Sequence, residues 1–163
     1  MVATVLIGPM GAGKTTLGKK LSKKLGLSFV DTDRFIAKDH GSITRLFEKH
    51  GEDHFRNLET SYLEQALAAF EIVATGGGVV LREDNRQLLV PHNVIFLDTD
   101  QASVIGKINL DKRPLIKNDP DAWGRIYEER LPLYQAVAKH TVFTGNRPIR
   151  AITKELEELI VGN

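Results

Sequence analysis

The chain has no cysteine, a single tryptophan and almost no net charge, with 22 Lys and Arg residues against 21 Asp and Glu. Without cysteine, neither disulfide bonds nor thiolate zinc sites can form. A net charge of +1 gives no reason to expect nucleic acid or a membrane surface as a partner. No apolar run approaches the roughly 18 residues that a membrane span needs. A strand is predicted over residues 2–7, which leaves no room for a signal peptide, so we expect a cytoplasmic protein.

At 163 residues, the chain has the length of one domain. Its 42% hydrophobic and 26% charged residues are ordinary for a globular protein. We therefore expect a single domain over residues 1–163. We also expect a monomer.

The stretch Gly8-Pro9-Met10-Gly11-Ala12-Gly13-Lys14-Thr15 fits the pattern G-x-x-x-x-G-K-S/T of a phosphate-binding loop, the P-loop. It follows the apolar run 2–7 and precedes a helical pattern over 16–25, as the motif requires. Lys14 can reach the β- and γ-phosphates of a nucleotide, and the Thr15 hydroxyl can ligate Mg²⁺. The alternative is a glycine turn that only joins a strand to a helix, which we consider much weaker. The loop predicts a nucleoside triphosphate site formed by Gly11, Ala12, Gly13, Lys14, Thr15 and Thr16.

Short apolar runs alternate with helical patterns along the rest of the chain. Strands are predicted at 2–7, 27–30, 71–74, 94–97 and 140–143. Helices are predicted at 16–25, 34–40, 43–50, 51–70, 83–90, 101–110, from Asp119-Pro120 onwards, and at 149–160. This alternation predicts an α/β fold, a three-layer α/β/α sandwich around a parallel sheet. Ligands of such sheets bind at the carboxyl ends of the strands.

Two carboxylates, Asp31 and Asp33, follow the second predicted strand. If the segment is extended, both side chains lie on the same side. One can hold Mg²⁺ through water and the other can accept a proton from an attacking hydroxyl. Aspartates in this arrangement also form turns and cap helices, but beside a P-loop we favour the functional interpretation. Asp98, which ends the fourth predicted strand, is a weaker candidate for the metal.

Three consecutive glycines, Gly76 to Gly78, end the third predicted strand and would let a ligand approach bare backbone. The alternative is a flexible turn. Arg56, Arg113 and Arg130 could neutralise a transferred phosphoryl group and hold an anionic acceptor. Arg56 could instead pair with Glu59 on the same helix. The basic, proline-containing segment around Arg113 is typical of a lid.

Together, these motifs resemble the shikimate kinases over the whole chain. The similarity lies in the P-loop, Asp31-Thr32-Asp33, Gly51-Glu52-x-x-Phe55-Arg56-x-x-Glu59, Gly76-Gly77-Gly78, Arg113-Pro114-Leu115 and Arg130-x-Pro132-Leu133-Tyr134. The resemblance implies a P-loop NTPase fold with strand order 2-3-1-4-5. It also implies Mg²⁺-dependent phosphorylation of shikimate by ATP at the 3-hydroxyl, a step of aromatic amino-acid biosynthesis.

The resemblance also assigns roles to residues. Asp33 would contact the ring hydroxyls and take the proton, and Lys14 and Arg113 would complete the catalytic set. Asp31 would hold Mg²⁺ through water beside Thr15. The acceptor would be bound by Asp33, Arg56, Arg130 and the backbone of Gly76, Gly77 and Gly78, with Phe47 and Phe55 as walls. The acceptor region would span about 31–60 and the lid about 109–119.

The chain departs from the family pattern at one position expected near the base of the nucleotide. Family members often place an arginine seven residues before the lid arginine, where this chain has Gly106 followed by Lys107. Arg147, with Pro148, is expected to form the other side of the adenine slot and Arg113 to contact the phosphates. Two alternatives stay open, a related small-molecule kinase such as gluconate kinase and a nucleotide-binding module without catalysis.

Overall fold

Five parallel strands form the centre of the molecule, in the order β2-β3-β1-β4-β5. The computed structural model describes residues 1–105, 119 and 121–162. The strands are β1 Thr4–Ile7, β2 Phe29–Asp31, β3 Ile72–Ala74, β4 Asn93–Asp98 and β5 His140–Phe143. β1 pairs with β3 on one side and β4 on the other. This order confirms the predicted α/β fold and places the carboxyl ends of β1, β2, β3 and β4 side by side.

Helices cover both faces of the sheet. They are α1 Lys14–Leu25, α2 Thr32–His40, α3 Ile43–His50, α4 Glu52–Ala69, α5 Glu83–Leu89, α6 Gln101–Val104, α7 Ala122–Val137 and α8 Ile149–Val161, with a 3₁₀ turn at Val79–Leu81. Within the described ranges, no helix combines the length and the apolar character that crossing a membrane requires.

Alternate residues of the buried β1 strand face the two helical layers. Val5 and Ile7 pack in a cluster with side chains of α4, α5 and α7. Leu6 packs in a second cluster with side chains of α1 and α8. The period-two alternation of a strand therefore accounts for the continuous apolar run, because both faces of the sheet are covered.

The second strand and the helix after it differ from the prediction in a way that affects the site. α2 begins at Thr32, two residues earlier than predicted, because Asp31 is its N-cap and accepts the backbone N–H of Arg34 at 3.2 Å. Asp33 consequently lies in the first helical turn. The expectation that Asp31 and Asp33 alternate along one extended segment is therefore wrong.

Two boundaries flank the undescribed part of the chain. α6 ends at Val104, not at residue 110, because Ile105 has extended backbone angles. α7 begins at Ala122, where the carboxylate of Asp119 accepts the N–H of Asp121 and forms a turn ahead of the helix. Gly106, Lys107, Arg113 and the predicted lid up to residue 118 lie outside the described residues.

Candidate active site

The P-loop leaves the carboxyl end of β1 through Gly8, which only glycine can occupy. Its φ is +144°, and a Cβ added there would lie 2.3 Å from the carbonyl oxygen of Leu97 on β4. A side chain would therefore clash with backbone and also adopt a rare conformation. This glycine lets the chain turn away from the sheet directly beside the neighbouring strand.

Side chains bind the carbonyl groups of the P-loop from several directions. The Lys14 ammonium donates to the carbonyl oxygens of Gly8 at 2.6 Å and Pro9 at 2.9 Å. The Thr144 hydroxyl donates to the Ala12 carbonyl at 2.8 Å. Because these carbonyl groups are held by side chains, the backbone N–H groups of the loop can point to an anion at the start of α1. Gly11 and Thr16, both exposed, belong to this open side.

The structure brings Thr15 and Asp31 together beside the P-loop. The Thr15 hydroxyl donates a hydrogen bond to Asp31 Oδ2. A hydroxyl and a carboxylate are oxygen ligands of the kind that Mg²⁺ takes in proteins. Asp98 is engaged elsewhere, since its Oδ1 accepts the Tyr127 hydroxyl at 2.7 Å. The donor set therefore fits a divalent cation at Thr15 and Asp31 better than at Asp98.

Three charged groups surround the backbone of Gly76 and Gly78. A Cβ added at Gly76 would lie 2.8 Å from Asp33 Oδ1 and 3.1 Å from Glu59 Oε2. At Gly78 it would lie 2.4 Å from Nη1 of Arg56. The absence of side chains in this turn is therefore a packing requirement, because the carboxylates and the guanidinium occupy that space.

Gly77 connects this turn with the P-loop and with Arg130. A Cβ there would lie 3.5 Å from Arg130 Nη1 and 3.6 Å from the carbonyl oxygen of Gly8. Arg130, on α7, and Arg56, on α4, are both buried, at 7% and 6% exposure. The two guanidinium groups thus converge on adjacent glycines from helices that are distant in sequence. Their joint binding of one anion stays a prediction.

The Arg56 side chain is held by neighbours on its own helix. Its Nη1 pairs with Glu59 Oε1 at 3.0 Å, and its Nε contacts Glu52 Oε2 at 3.4 Å. The guanidinium carbon lies 5.2 Å from the Phe55 ring centroid and 6.0 Å from that of Phe47. The two interpretations of Arg56 are therefore compatible, since the pairing with Glu59 orients the guanidinium toward the glycine turn.

Glu59 is the least expected charge in the site, because it is fully buried. Burial raises its pKa, although the nearby Arg56 and Arg130 act in the opposite direction. Its Oε2 has no hydrogen-bond partner among the described residues and faces Gly76. From the sequence, Glu59 is expected only as a partner for Arg56. Its position in the Arg56-x-x-Glu59 motif was the available signal.

Tyr134 is a second residue whose place in the site was not predicted. Its hydroxyl donates to the carbonyl oxygen of Gly77 at 2.5 Å. Burial raises its pKa to about 12, so the phenol stays protonated and remains a donor near neutral pH. From the sequence, Tyr134 is named only as part of the Arg130-x-Pro132-Leu133-Tyr134 motif, without a role in the site. Its spacing of four residues from Arg130 puts both on the same face of α7.

Arg147 lies at the molecular surface after β5. Its Nη1 donates to the Phe143 carbonyl at 2.7 Å and pairs with Glu155 at 2.8 Å. The nearby Thr144 contacts the P-loop through Ala12, which links this segment to the nucleotide side of the site. The contact of Arg147 with adenine stays a prediction.

The strand order and the P-loop between β1 and α1 define the class of this protein, a P-loop kinase. Residues 10–161 match the family model described as Shikimate kinase. The chain is 38% identical over 160 residues to a shikimate kinase of Dictyoglomus turgidum, covering 93% of each sequence. It is 41% identical over 145 residues to that of Thermobifida fusca, covering 86% of this chain and 84% of the relative. The chain belongs to the shikimate kinase family and is an ATP-dependent kinase.

Solved structures give the same grouping. The shikimate kinase from Acinetobacter baumannii in complex with shikimate matches with a TM-score of 0.92 and 34% identity, covering 100% of this chain and 95% of that chain. A gluconokinase from Sinorhizobium meliloti 1021 matches with a TM-score of 0.65 and 15% identity, covering 99% and 92%. That second likeness shows a common fold alone, so it gives the gluconate kinase alternative no further support.

Proposed function

We propose that this chain transfers the γ-phosphoryl group of ATP to the 3-hydroxyl of shikimate, as a step of aromatic amino-acid biosynthesis. The observation that carries the proposal is the convergence of Arg56 and Arg130 on Gly77 and Gly78, next to the P-loop. Two planar guanidinium groups suit a carboxylate, which each can bind through two hydrogen bonds. An acceptor held by its carboxylate there would place its hydroxyls between Asp33 and the phosphates.

On the nucleotide side, the Lys14 ammonium would bind the phosphates. It would exchange the carbonyl oxygens of Gly8 and Pro9 for the β- and γ-phosphates of ATP. Backbone N–H groups over residues 11–16 would hold the remaining phosphate oxygens. Arg147 is assigned to adenine, and the assignment of Arg113 to the phosphates stays a prediction.

Thr15 and Asp31 would hold Mg²⁺, with the Thr15 hydroxyl as a direct ligand and the Asp31 carboxylate acting through water. The hydrogen bond between them supports this role, because it brings the two oxygen atoms close together. When bound, Mg²⁺ would neutralise phosphate charge. Asp31 also caps α2, so the same carboxylate fixes the position of Asp33 two residues later.

On the acceptor side, Asp33 would accept the proton of the attacking hydroxyl while the γ-phosphoryl group is transferred. Gly76 lets the Asp33 carboxylate lie against the backbone at the carboxyl end of β3. Phe47 and Phe55, whose ring centroids are 4.9 Å apart, would form a wall for the ring of the acceptor. Glu59 would keep the Arg56 guanidinium oriented toward the carboxylate.

These roles are consistent with one kinase domain over residues 1–163, whose acceptor region covers about 31–60. A monomer in the cytoplasm, acting on ATP and shikimate without nucleic acid or a membrane as partner, stays a prediction.

The acceptor is tested by measuring ADP formation with ATP, Mg²⁺ and either shikimate or gluconate. We expect rapid turnover with shikimate and little with gluconate, which lacks the ring that Phe47 and Phe55 would contact. Faster turnover with gluconate than with shikimate would contradict the proposal and favour a gluconate kinase.

The same assay tests the base with the substitution Asp33→Asn. The amide can still hydrogen-bond a hydroxyl but cannot accept its proton, so kcat should fall about 10²–10⁴-fold while ATP binding is kept. A loss below about fivefold would assign Asp33 to positioning alone.

A further inference from the structure

The single tryptophan of the chain contacts the P-loop directly. Trp123 is the second residue of α7 and is 3% exposed. Its indole N–H donates to the carbonyl oxygen of Met10 at 2.9 Å, across 113 residues of sequence. Met10 lies in the middle of the loop, between the carbonyls that Lys14 contacts and the residues that start α1.

The indole is itself held in a fixed position relative to the sheet. Its ring stacks on Tyr127, with centroids 5.1 Å apart and an interplanar angle of 9°. The Tyr127 hydroxyl donates to Asp98 Oδ1 at the end of β4. Because β4 pairs with β1, this series of contacts anchors the indole to the strand beside the one that carries the P-loop.

The bond to Met10 determines the orientation of the next N–H group. The Met10–Gly11 peptide is trans, and in a trans peptide the carbonyl and the N–H point in opposite directions. A Met10 carbonyl fixed toward Trp123 therefore directs the Gly11 N–H away from α7. This peptide is the central one of a turn that the Ala12 N–H closes on the Pro9 carbonyl oxygen at 3.3 Å. Gly11 is exposed with a φ of +84°, and glycine at this position of a turn allows either orientation of the central peptide, so the bond from Trp123 selects one of them.

We propose that Trp123 is a positioning residue for nucleotide binding, whose indole N–H holds the Gly11 N–H in the direction of the phosphates. The inference rests on the proposed function only in taking the P-loop as the phosphate site. A leucine or phenylalanine at position 123 could fill the same apolar space but could not donate to Met10. The effect therefore belongs to one N–H group and can be separated from packing.

The test replaces Trp123 with its benzothienyl isostere, in which sulfur takes the place of the indole N–H and the ring keeps its shape. Binding of ADP and of AMP is measured by calorimetry with Mg²⁺, without acceptor. Loss of one neutral hydrogen bond should weaken ADP binding about fivefold. AMP lacks the β-phosphate that the loop binds, so its Kd should change by less than about twofold.

Two further variants separate positioning from stability. Trp123→Phe should reproduce the loss of ADP affinity with a small further loss from packing. Tyr62→Phe removes a partly buried hydrogen bond outside the P-loop, from the Tyr62 hydroxyl to Asp39 at 2.6 Å, and should leave ADP binding unchanged. Equal weakening of ADP and AMP by the isostere, or unchanged ADP binding, would overturn the proposal. Because no acceptor is present, either result is independent of whether shikimate proves to be the substrate.

Discussion

At the scale of single residues, the acceptor side of the site depends on three glycines that have no side chain. Gly76, Gly77 and Gly78 each leave room for a different charged group, and only Gly78 faces a guanidinium at less than 3 Å from a hypothetical Cβ. None of the three has a positive φ, so alanine is conformationally allowed at each. The cost of a methyl group at Gly76 or Gly78 is therefore a displaced neighbour and not a strained backbone.

The substitution Gly78→Ala should displace Arg56, because the added Cβ would lie 2.4 Å from its Nη1. A charge-assisted hydrogen bond contributes about 1.5–3 kcal/mol, so the KM for shikimate should rise about tenfold or more with little change in the KM for ATP. Initial rates at varied shikimate and at varied ATP measure both.

Gly77→Ala provides the comparison for this prediction. Its Cβ would meet Arg130 Nη1 at 3.5 Å, an ordinary contact, so the rise in the KM for shikimate should be much smaller. Similar effects of the two substitutions would contradict the view that displacement of Arg56 is the cause.

At the scale of helices and strands, His92 connects the turn before β4 to the start of β1. Its Nδ1 accepts the backbone N–H of Ala3 at 3.0 Å, which requires that nitrogen to be unprotonated. Burial lowers the pKa of His92 below its ordinary value of 6.5, and the charges of the amino terminus and Lys139 lower it further. The contact therefore makes folding sensitive to pH.

The sign of this dependence follows from the lowered pKa. Below pH 6.5 the unfolded chain takes up a proton at His92 that the folded chain resists, so stability is lost as pH falls toward the folded pKa. Urea unfolding of the wild type and of His92→Asn, at about pH 7 and pH 5.5, tests this. The decrease in the free energy of unfolding should be smaller in the variant, and an equal decrease would contradict the account.

Elements with strong patterns could be predicted from sequence, and their junctions could not. The apolar run of β1 and the glycine pattern of the P-loop need only local information. The start of α2 at Thr32 depends on whether Asp31 acts as a strand residue or as an N-cap, and the local sequence is compatible with both. The end of α6 at Val104 likewise depends on the backbone angles of Ile105, which the spacing of apolar residues does not predict.

The candidate site was predictable in its composition but not in its contacts. Aspartates and glycines that follow strands, together with three separated arginines, indicate an anionic acceptor and a phosphate donor. Full burial of Glu59 and the bond from Tyr134 to Gly77 depend on how α4 and α7 pack on the glycine turn. The spacing of residues along the chain predicts such long-range packing only weakly.

At the scale of the whole molecule, the site assembles from segments that the sheet order brings together. β1 carries the P-loop, β2 leads to Asp31 and Asp33, and β3 ends in the glycine turn, and these three strands are adjacent. The arginines come from α4 and α7, which pack on the same face of the sheet. In this arrangement the two arginines should recognise the acceptor by its carboxylate.

A double-mutant cycle tests that claim most directly, using wild type and Arg56→Lys with shikimate and with its neutral carboxamide analogue. Lysine cannot reproduce the bidentate geometry of arginine. The KM for shikimate should therefore rise about tenfold or more on substitution, while that for the carboxamide changes much less. The coupling energy between the substitution and the carboxylate should be about 1.5–3 kcal/mol. The same cycle with Arg130→Lys should give a similar value. Additive effects in both cycles would contradict the account.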